Sequence, residues 1–180
     1  MRAALRNKST NGYFCSAEKA PAFLEYLSGH LDPENSVQNQ TVALRAFANL
    51  ACQHTGQQVL LANRENLLPL VSQATASSNK NVQTAASTIL LNYSVLLRKS
   101  DDVEARSDVL TALSKAAQSV IDNEAMFRLC VAVGTLVGRD EEYKVIAQSL
   151  GLDSAVSEWK TQSALPKLVE CATALEKNLN

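Results

Sequence analysis

The stretch Ala43-Leu-Arg-Ala-Phe-Ala-Asn-Leu50 decides the fold, because it recurs along the chain at a fixed interval. Ala86-Ser-Thr-Ile-Leu-Leu-Asn-Tyr93 follows 43 residues later, and Leu129-Cys-Val-Ala-Val-Gly-Thr-Leu136 follows after the same interval again. Apolar or small residues fill most columns of this comparison. A period near 43 residues lies in the range of armadillo and HEAT repeats, roughly 40–47 residues. We therefore expect an all-α fold, an armadillo/HEAT-like α-solenoid of stacked repeats in a right-handed superhelix.

Apolar residues recur at helical spacing nearly throughout the chain, and no run alternates as a strand would. The pattern predicts helices over residues 22–31, 41–52, 57–62, 64–74, 81–98, 103–121, 124–137, 141–150, 154–160 and 165–179. Asn63, Asn123 and Asp140 are the expected N-caps, and Gly138 and Gly151 the expected helix ends. Pro69 is expected to bend or divide its helix. Residues 1–20 are expected to form an N-terminal extension, ordered in part, and residues 21–180 the repeat domain.

The charges are distributed unevenly, although the formal net charge is only −1. Residues 1–100 hold nine Lys/Arg and five Asp/Glu, and residues 101–180 hold eight and thirteen. Between residues 35 and 100, one acid, Glu65, accompanies five bases: Arg45, Arg64, Lys80, Arg98 and Lys99. A positive region on an otherwise acidic protein favours an acidic partner, and an ordinary surface fluctuation is the alternative. The weak net charge gives no sign of nucleic-acid binding.

Residues that catalysis or metal binding needs are scarce. His30 and His54 each lie near a helix end, with no Cys, Asp or Glu at ligand or triad spacing. No phosphate-binding glycine loop, zinc motif or nucleophile motif occurs. Asp140-Glu-Glu142 is best interpreted as a set of partners for a helix dipole. We therefore expect no enzyme, no cofactor and no metal.

The four cysteines favour a reducing compartment, with the cytoplasm as the expected location and the nucleus as a second. They are widely spaced and contain no C-x-x-C pair: Cys15, Cys52, Cys130 and Cys171. The first residues contain no apolar signal stretch, and no apolar segment reaches the length of a membrane span. We expect no contact with a membrane.

Arg45 and Asn49 are candidate binding residues, because they lie four residues apart and share a helix face. In an α-solenoid, one helix of each repeat lines the groove. There, an Asn can hydrogen-bond an extended peptide and an Arg can pair with a carboxylate. Asn92, with Tyr93 beside it, repeats the arrangement one unit later. Hydrogen bonds between packed helices are the alternative for both asparagines.

Arg128 is a further candidate, because it is the only charge between Glu124 and Arg139. An isolated Arg in an apolar helix is either paired for structural reasons or presented in a cleft. Both interpretations remain open on the sequence alone. The decisive test is whether one concave surface holds Arg45, Asn49, Asn92 and Arg128 together.

Five stretches, in this order, resemble the PUL domain of the phospholipase A-2-activating protein family: Ala43-Leu-Arg-Ala-Phe-Ala-Asn49, Ser78-Asn-Lys-Asn81, Leu91-Asn-Tyr-Ser-Val95, Phe127-Arg-Leu-Cys-Val-Ala-Val-Gly-Thr-Leu136 and Ser149-Leu-Gly-Leu-Asp153. The resemblance extends over roughly residues 21–180. It implies an armadillo-type fold whose basic concave groove binds the acidic C-terminal tail of the valosin-containing AAA ATPase. It also implies that Arg45 and Arg128 are peptide-binding residues, and by the same local matches Asn49, Asn92 and Tyr93.

The resemblance also has limits. A full domain of this family is longer, so this chain is expected to lack about the first repeat. The family's propeller and ubiquitin-binding module are absent from this sequence. The expected function is a monomeric, non-catalytic adaptor that links the ATPase to ubiquitin-dependent protein turnover. The alternative is an α-solenoid scaffold that binds another protein.

Overall fold

All regular structure in the described part of the chain is helical. A computed structural model describes residues 19–138 and 140–179. Within these residues the helices are α1 (Ala20–Gly29), α2 (Val37–Leu50), α3 (His54–Ala62), α4 (Arg64–Ala74), α5 (Lys80–Leu97), α6 (Val103–Ala117), α7 (Asn123–Val137), α8 (Glu141–Ser149), α9 (Leu152–Gln162) and α10 (Pro166–Leu179). The predicted extension lies almost wholly outside the described residues. No helix among them is long and apolar enough to cross a membrane.

The predicted period of 43 residues is present in the helix boundaries. α2, α5, α7 and α10 begin at Val37, Lys80, Asn123 and Pro166, each 43 residues after the one before. The residues preceding the first three, Ser36, Asn79 and Asp122, each cap their helix by accepting a backbone amide hydrogen bond. Such caps satisfy amides that have no partner within the helix. The period therefore extends to a fourth helix that the sequence comparison did not include.

These four helices lie side by side and form what we call the first layer. α2 packs against α5, α5 against α7, and α7 against α10. The second layer consists of α4, α6 and α9, in which α4 and α9 both pack against α6. The short helices α3 and α8 precede α4 and α9, whereas only residues 98–102 separate α5 from α6. Repeats of two or three helices stacked in two layers form an armadillo-like α-solenoid, as predicted.

The two layers meet in a core built mainly of Leu, Val and Ala. Phe47 of α2 and Tyr93 of α5 are among its largest fully buried side chains. Burying a large apolar side chain stabilises the fold by about 1.5–3 kcal/mol. Each layer therefore depends on the other, and the helices of the first layer keep fixed positions relative to one another.

A buried glutamine ties the loops that precede α5 and α7. Gln83, 1% exposed, donates from Nε2 to the carbonyl oxygen of Ser77 at 2.6 Å. Its Oε1 accepts hydrogen bonds from the amides of Ile121 at 3.2 Å and Asp122 at 2.9 Å. Gln40, 43 residues earlier, donates to three loop carbonyls in the same way. Gln83 therefore fixes the start of α7 relative to α5, and Gln40 holds the loop that precedes α2.

Of the three predicted N-caps, Asn123 is wrong, and Asn63 is at the N-cap position but makes no capping hydrogen bond with its side chain. Asn63 precedes α4, but its Nδ2 donates to the carbonyl oxygen of Val59 at 2.8 Å, so its side chain ends α3 and does not begin α4. Asn123 is the first residue of α7, and Asp122 caps that helix by accepting from the amide of Ala125 at 3.0 Å. A carboxylate at a helix N-terminus also interacts favourably with the helix dipole.

The predicted helix ends at the two glycines are confirmed. Gly138 and Gly151 have φ angles of 55° and 73°, in the left-handed region that favours glycine. Asp140 caps α8 as predicted, since its Oδ1 accepts from the amide of Glu142 at 3.1 Å. The expected division of α4 at Pro69 does not occur, because packing against α5 and α6 holds the helix together around the proline.

Candidate functional site

A cleft of about 230 Å³ opens on the surface of the first layer where α2, α5 and α7 meet. Its lining residues are Arg45, Ala48, Asn81, Thr84, Ala85, Thr88 and Arg128. The two arginines come from α2 and α7, on either side of α5, although they lie 83 residues apart in the sequence. The fold therefore brings both predicted arginines into one cleft.

The sequence of α5 explains the shape of this cleft. Asn81, Thr84 and Thr88 are spaced by three and four residues, so they share one face of the helix. Ala48 of α2 and Ala85 of α5 are small residues at the point where the helices approach each other. The cleft therefore has a polar floor, and little side-chain bulk fills it.

Arg128 is held in place by two neighbours. Its Nε and Nη2 donate to Oε1 of Glu124 at 3.2 and 3.1 Å, and its Nη1 donates to Oγ1 of Thr88. Thr88 in turn donates to the carbonyl oxygen of Thr84 at 2.6 Å, so its oxygen is free to accept from the guanidinium. The Arg128 side chain remains 29% exposed. The sequence left open whether Arg128 is paired or presented in a cleft. In the structure it is paired with Glu124 and also lines the cleft.

Lys167 of α10 adds a third positive charge beside Arg128, and the sequence analysis did not include it. Its Nζ lies 2.6 Å from Oε2 of Glu124 and 4.4 Å from the ring centroid of Phe127. Hydrogen bonds from Lys167 and, to a lesser degree, from Arg128 hold the pKa of Glu124 below its usual value, although burial opposes this shift. Glu124 is therefore ionised at neutral pH. Lys167 lies 43 residues after Glu124, so the repeat period could have identified it.

Arg45 differs from Arg128 in having no acidic partner. Its side chain is exposed, and no acid within residues 19–138 and 140–179 forms an ion pair with it. Among the described residues, the cleft and its rim thus combine three cations, Arg45, Arg128 and Lys167, with Glu124 and with Asp122, whose Oδ1 accepts from Thr84 at 3.3 Å. The surplus of positive charge suits an anionic ligand.

The two predicted asparagines lie next to the cleft but do not line it. Asn49 is one helical turn beyond Arg45 on α2, and Asn92 is one turn beyond Thr88 on α5. Both are half-buried, and neither side-chain amide makes a hydrogen bond within the described residues. The structure therefore gives no support to the alternative that these amides serve helix packing, and it leaves their donors and acceptors available.

Tyr93 does not share this surface, which corrects the sequence prediction. Its side chain is 1% exposed, and its hydroxyl donates to the carbonyl oxygen of Leu60. Consecutive residues of a helix point about 100° apart, so Tyr93 cannot face the same side as Asn92. Tyr93 belongs to the contact between α5 and α3.

The histidines show no arrangement suited to catalysis. His30 packs edge-to-face against Tyr26 with ring centroids 4.7 Å apart, and His54 is the first residue of α3. In the part of the chain that the structure describes, no three His, Cys, Asp or Glu side chains are grouped as metal ligands. The cationic cleft is accordingly the candidate site.

Comparison with known proteins relates the chain to one protein family. The family model of the PUL domain matches residues 1–174, including residues 1–20, which the sequence resemblance left out. The chain is 34% identical to phospholipase A-2-activating protein of Xenopus laevis over 175 residues, which are 97% of this chain and 22% of that protein. It is 31% identical to the ubiquitin fusion degradation protein 3 homolog of Caenorhabditis elegans over 153 residues, 78% of this chain and 18% of that protein. The chain thus spans about a fifth of the length of these relatives.

Two solved structures are similar to the chain at low sequence identity. One is an engineered protein with 17% identity and a TM-score of 0.46, covering 97% of this chain and 86% of that one. The other is a designed armadillo repeat protein with 15% identity and a TM-score of 0.44, covering 98% and 89%. The family match over nearly the whole length is the decisive comparison, and by it this chain belongs to the PUL domain family.

Proposed function

We propose that this PUL domain is a non-catalytic adaptor module that holds the acidic C-terminal tail of the valosin-containing AAA ATPase in the cleft between α2, α5 and α7. It would thereby link the ATPase to ubiquitin-dependent protein turnover in the cytoplasm or nucleus. The observation that carries the proposal is the presence of Arg45 and Arg128 in one surface cleft with a surplus of positive charge. The name of the second relative, a ubiquitin fusion degradation protein, agrees with this pathway.

The two arginines are suited to different parts of the interaction. Arg45 is exposed, and no acid of the described residues pairs with it, so it can bind an approaching carboxylate without giving up such a partner. Arg128 is held through Nη1 by Thr88, so less side-chain freedom is lost when it binds. Charge-assisted hydrogen bonds from a guanidinium to a carboxylate are about twice as strong as neutral ones.

The surroundings of the arginines suit an extended peptide. Asn49 and Asn92 offer side-chain amides that can donate to and accept from a peptide backbone. Ala48 and Ala85 let that backbone come close to the helices. Val95, 57% exposed and three residues after Asn92, offers an apolar contact for an aromatic side chain near the end of the tail.

The experiment is a titration of the labelled tail peptide followed by fluorescence anisotropy at low salt. We expect Arg45→Ala and Arg128→Ala each to weaken binding by about tenfold or more, since each removes one charge-assisted contact. Lys115→Ala, which removes an exposed cation from α6 outside this cleft, is the matched control and should change affinity by less than about twofold. Absence of wild-type binding, or unchanged binding in both arginine variants, would remove the proposal.

Two further measurements vary the salt concentration and the order of residues in the tail peptide. Raising the salt concentration should weaken binding, because charges at a solvent-exposed rim are screened over about 8 Å at physiological ionic strength. A peptide with the same composition in scrambled order separates recognition of the tail sequence from recognition of negative charge alone. Equal affinity for both peptides would favour a general acidic-peptide site over the ATPase tail.

A further inference from the structure

Glu124 already occupies the edge of Arg128 that a ligand carboxylate would use. Both Nε and Nη2 of Arg128 donate to Oε1 of Glu124, with nitrogen-to-oxygen distances of 3.2 and 3.1 Å. Those two hydrogens form the side of the guanidinium that best matches a carboxylate. In the free chain, Glu124 therefore takes the place of a ligand.

This internal carboxylate is a strong competitor. It is tethered four residues from Arg128 on the same helix, so it faces the guanidinium at an effective concentration far above that of a dissolved peptide. A carboxylate that approaches Arg128 by itself gains little by replacing one that is already there. It also meets the negative charge of Glu124 at close range.

Displacement is nevertheless possible, because Glu124 has a second partner. Its Oε2 lies 2.6 Å from Nζ of Lys167, which remains available when Arg128 turns away. The side chains of Glu124 and Lys167 are 37% and 46% exposed, so neither is locked by packing. The acid would therefore keep a counter-charge and access to water after the exchange.

We propose that Glu124 is an internal competitor that occupies the Nε and Nη2 donors of Arg128 in the free chain. Only an acidic segment that is anchored at Arg45 by a second carboxylate then displaces Glu124 from Arg128. The inference rests on the proposed function only in taking the cleft as a site for acidic peptides. Arg45 makes the first contact because no acid in residues 19–138 and 140–179 pairs with it. Once a segment is anchored there, its next carboxylate reaches Arg128 within the same complex, so that it too competes at a high effective concentration.

A different role for Glu124 would give the opposite result. If Glu124 only positioned Arg128, its removal would loosen the guanidinium and weaken the binding of acidic segments. If Glu124 acted only through its charge at a distance, its removal would strengthen binding whether or not Arg128 were present. The three possibilities are therefore separable by a double-mutant cycle.

The experiment uses the 180-residue chain and two end-blocked decapeptides of glycine and serine, followed by NMR titration. One peptide carries a single aspartate, and the other carries two aspartates separated by one residue, which lie on the same side of an extended chain. The variants are Glu124→Gln, Arg128→Ala and the two combined. Glu176→Gln is the matched control, because Glu176 also pairs with a lysine, Lys160, at 2.7 Å but outside the cleft.

We expect Glu124→Gln to tighten binding of the two-aspartate peptide by about fivefold or more. The single-aspartate peptide, which stays on Arg45, should change by no more than about twofold. In the Arg128→Ala background, Glu124→Gln should give no gain, and Glu176→Gln should have no effect in any background. Melting temperatures of the variants within a few degrees of each other show that the fold is kept.

Each other result overturns the inference. Weaker or unchanged binding in Glu124→Gln identifies a positioning or neutral role, and an equal gain without Arg128 identifies a long-range charge effect. If neither peptide binds any variant, the cleft is not an acidic-peptide site. The ATPase tail peptide, titrated in parallel, separates the two proposals: its failure alone removes the ATPase as partner and leaves the role of Glu124 standing.

Discussion

The hydroxyl of Tyr93 on α5 donates a 2.8 Å hydrogen bond to the carbonyl oxygen of Leu60 on α3. Burial raises the pKa of Tyr93, so the phenol stays protonated and remains a donor at every physiological pH. This contact joins α5 of the first layer to α3, the short helix that precedes α4. It identifies Tyr93 as a packing residue, although the resemblance to the family implied a role in peptide binding.

Tyr93→Phe should lower the free energy of unfolding by about 1–1.5 kcal/mol, because it removes one buried hydrogen bond and keeps the ring. The reduction stays moderate since the Leu60 carbonyl also accepts from the amide of Asn63 at 3.2 Å. Urea denaturation measures the change. Affinity for the tail peptide should stay within about twofold of wild type, and a loss of more than about fivefold in a folded variant would return Tyr93 to the binding site.

Gln83→Leu should be more destabilising, by about 2–4 kcal/mol, because it removes three part-buried hydrogen bonds to backbone groups at once. The groups are the carbonyl of Ser77 and the amides of Ile121 and Asp122. Hydrogen exchange at residues 121 and 122 should accelerate more than exchange in α10. Exchange that rises equally everywhere would mean that Gln83 does not act as a local link between α5 and α7.

Much of the fold could be predicted from the sequence, because local signals agree with the repeat. The 43-residue period, the helix ends at Gly138 and Gly151 and the cap at Asp140 all follow from residue spacing and backbone preference. Asn123 was harder to place, since the carboxylate of Asp122, one residue earlier, can cap a helix equally well. Local sequence alone does not decide which of them does so.

The site could be predicted only in part, for a physical reason. Arg45 and Arg128 stand out as charges beside apolar helix faces, and the repeat brings those faces together. The surroundings of Arg128 did not stand out: its partner Thr88 belongs to α5, and Lys167 of α10 pairs with Glu124 beside it. Contacts between side chains of separate repeats depend on how the helices pack. Spacing along one helix does not reveal them, and of these two residues only Lys167, 43 residues after Glu124, is indicated by the repeat period.

Arg106 is a buried cation with a structural role. It is 8% exposed, donates from Nη2 to the carbonyl oxygen of Leu136 and lies 3.4 Å from the ring centroid of Tyr143. Arg106→Ala should lower the free energy of unfolding by about 2–3 kcal/mol, through the lost packing and the freed carbonyl. Lys144→Ala, which removes a surface pair with Glu141, should cost less than about 1 kcal/mol. Similar effects of the two substitutions in thermal unfolding would contradict this assignment.

The pairing of Glu124 makes stability depend on pH. Because the pKa of Glu124 is lowered in the folded state, first by Lys167 and then by Arg128, the ionised form stabilises the fold. That contribution is complete above the unfolded pKa, about 4.3, and is lost as the pH falls through the lower folded value. For an exposed pair it amounts to about 0.5–1 kcal/mol.

The difference in free energy of unfolding between wild type and Glu124→Gln should accordingly be constant from about pH 7 to 5 and shrink below that. Denaturation at a series of pH values measures it. A difference that grows on acidification would show that the carboxylate is unfavourable in the folded chain, and with it the pairing to Lys167 would be refuted.

Three cysteines differ in their expected reactivity, which follows from burial and from the thiolate as the reactive form. Cys52 is exposed, Cys171 is half-buried and Cys130 is fully buried. A hydrogen bond with Cys171 and burial both raise the pKa of Cys130, and the same hydrogen bond lowers the pKa of Cys171.

In brief labelling of the native chain with iodoacetamide at neutral pH, Cys52 and Cys171 should react while Cys130 stays unmodified. Labelling in urea should modify Cys130 as well, and peptide mass spectrometry assigns each site. Native labelling of Cys130 at the rate of Cys171 would mean that α7 and α10 separate readily, and the close contact of Lys167 with Glu124 would then be transient too.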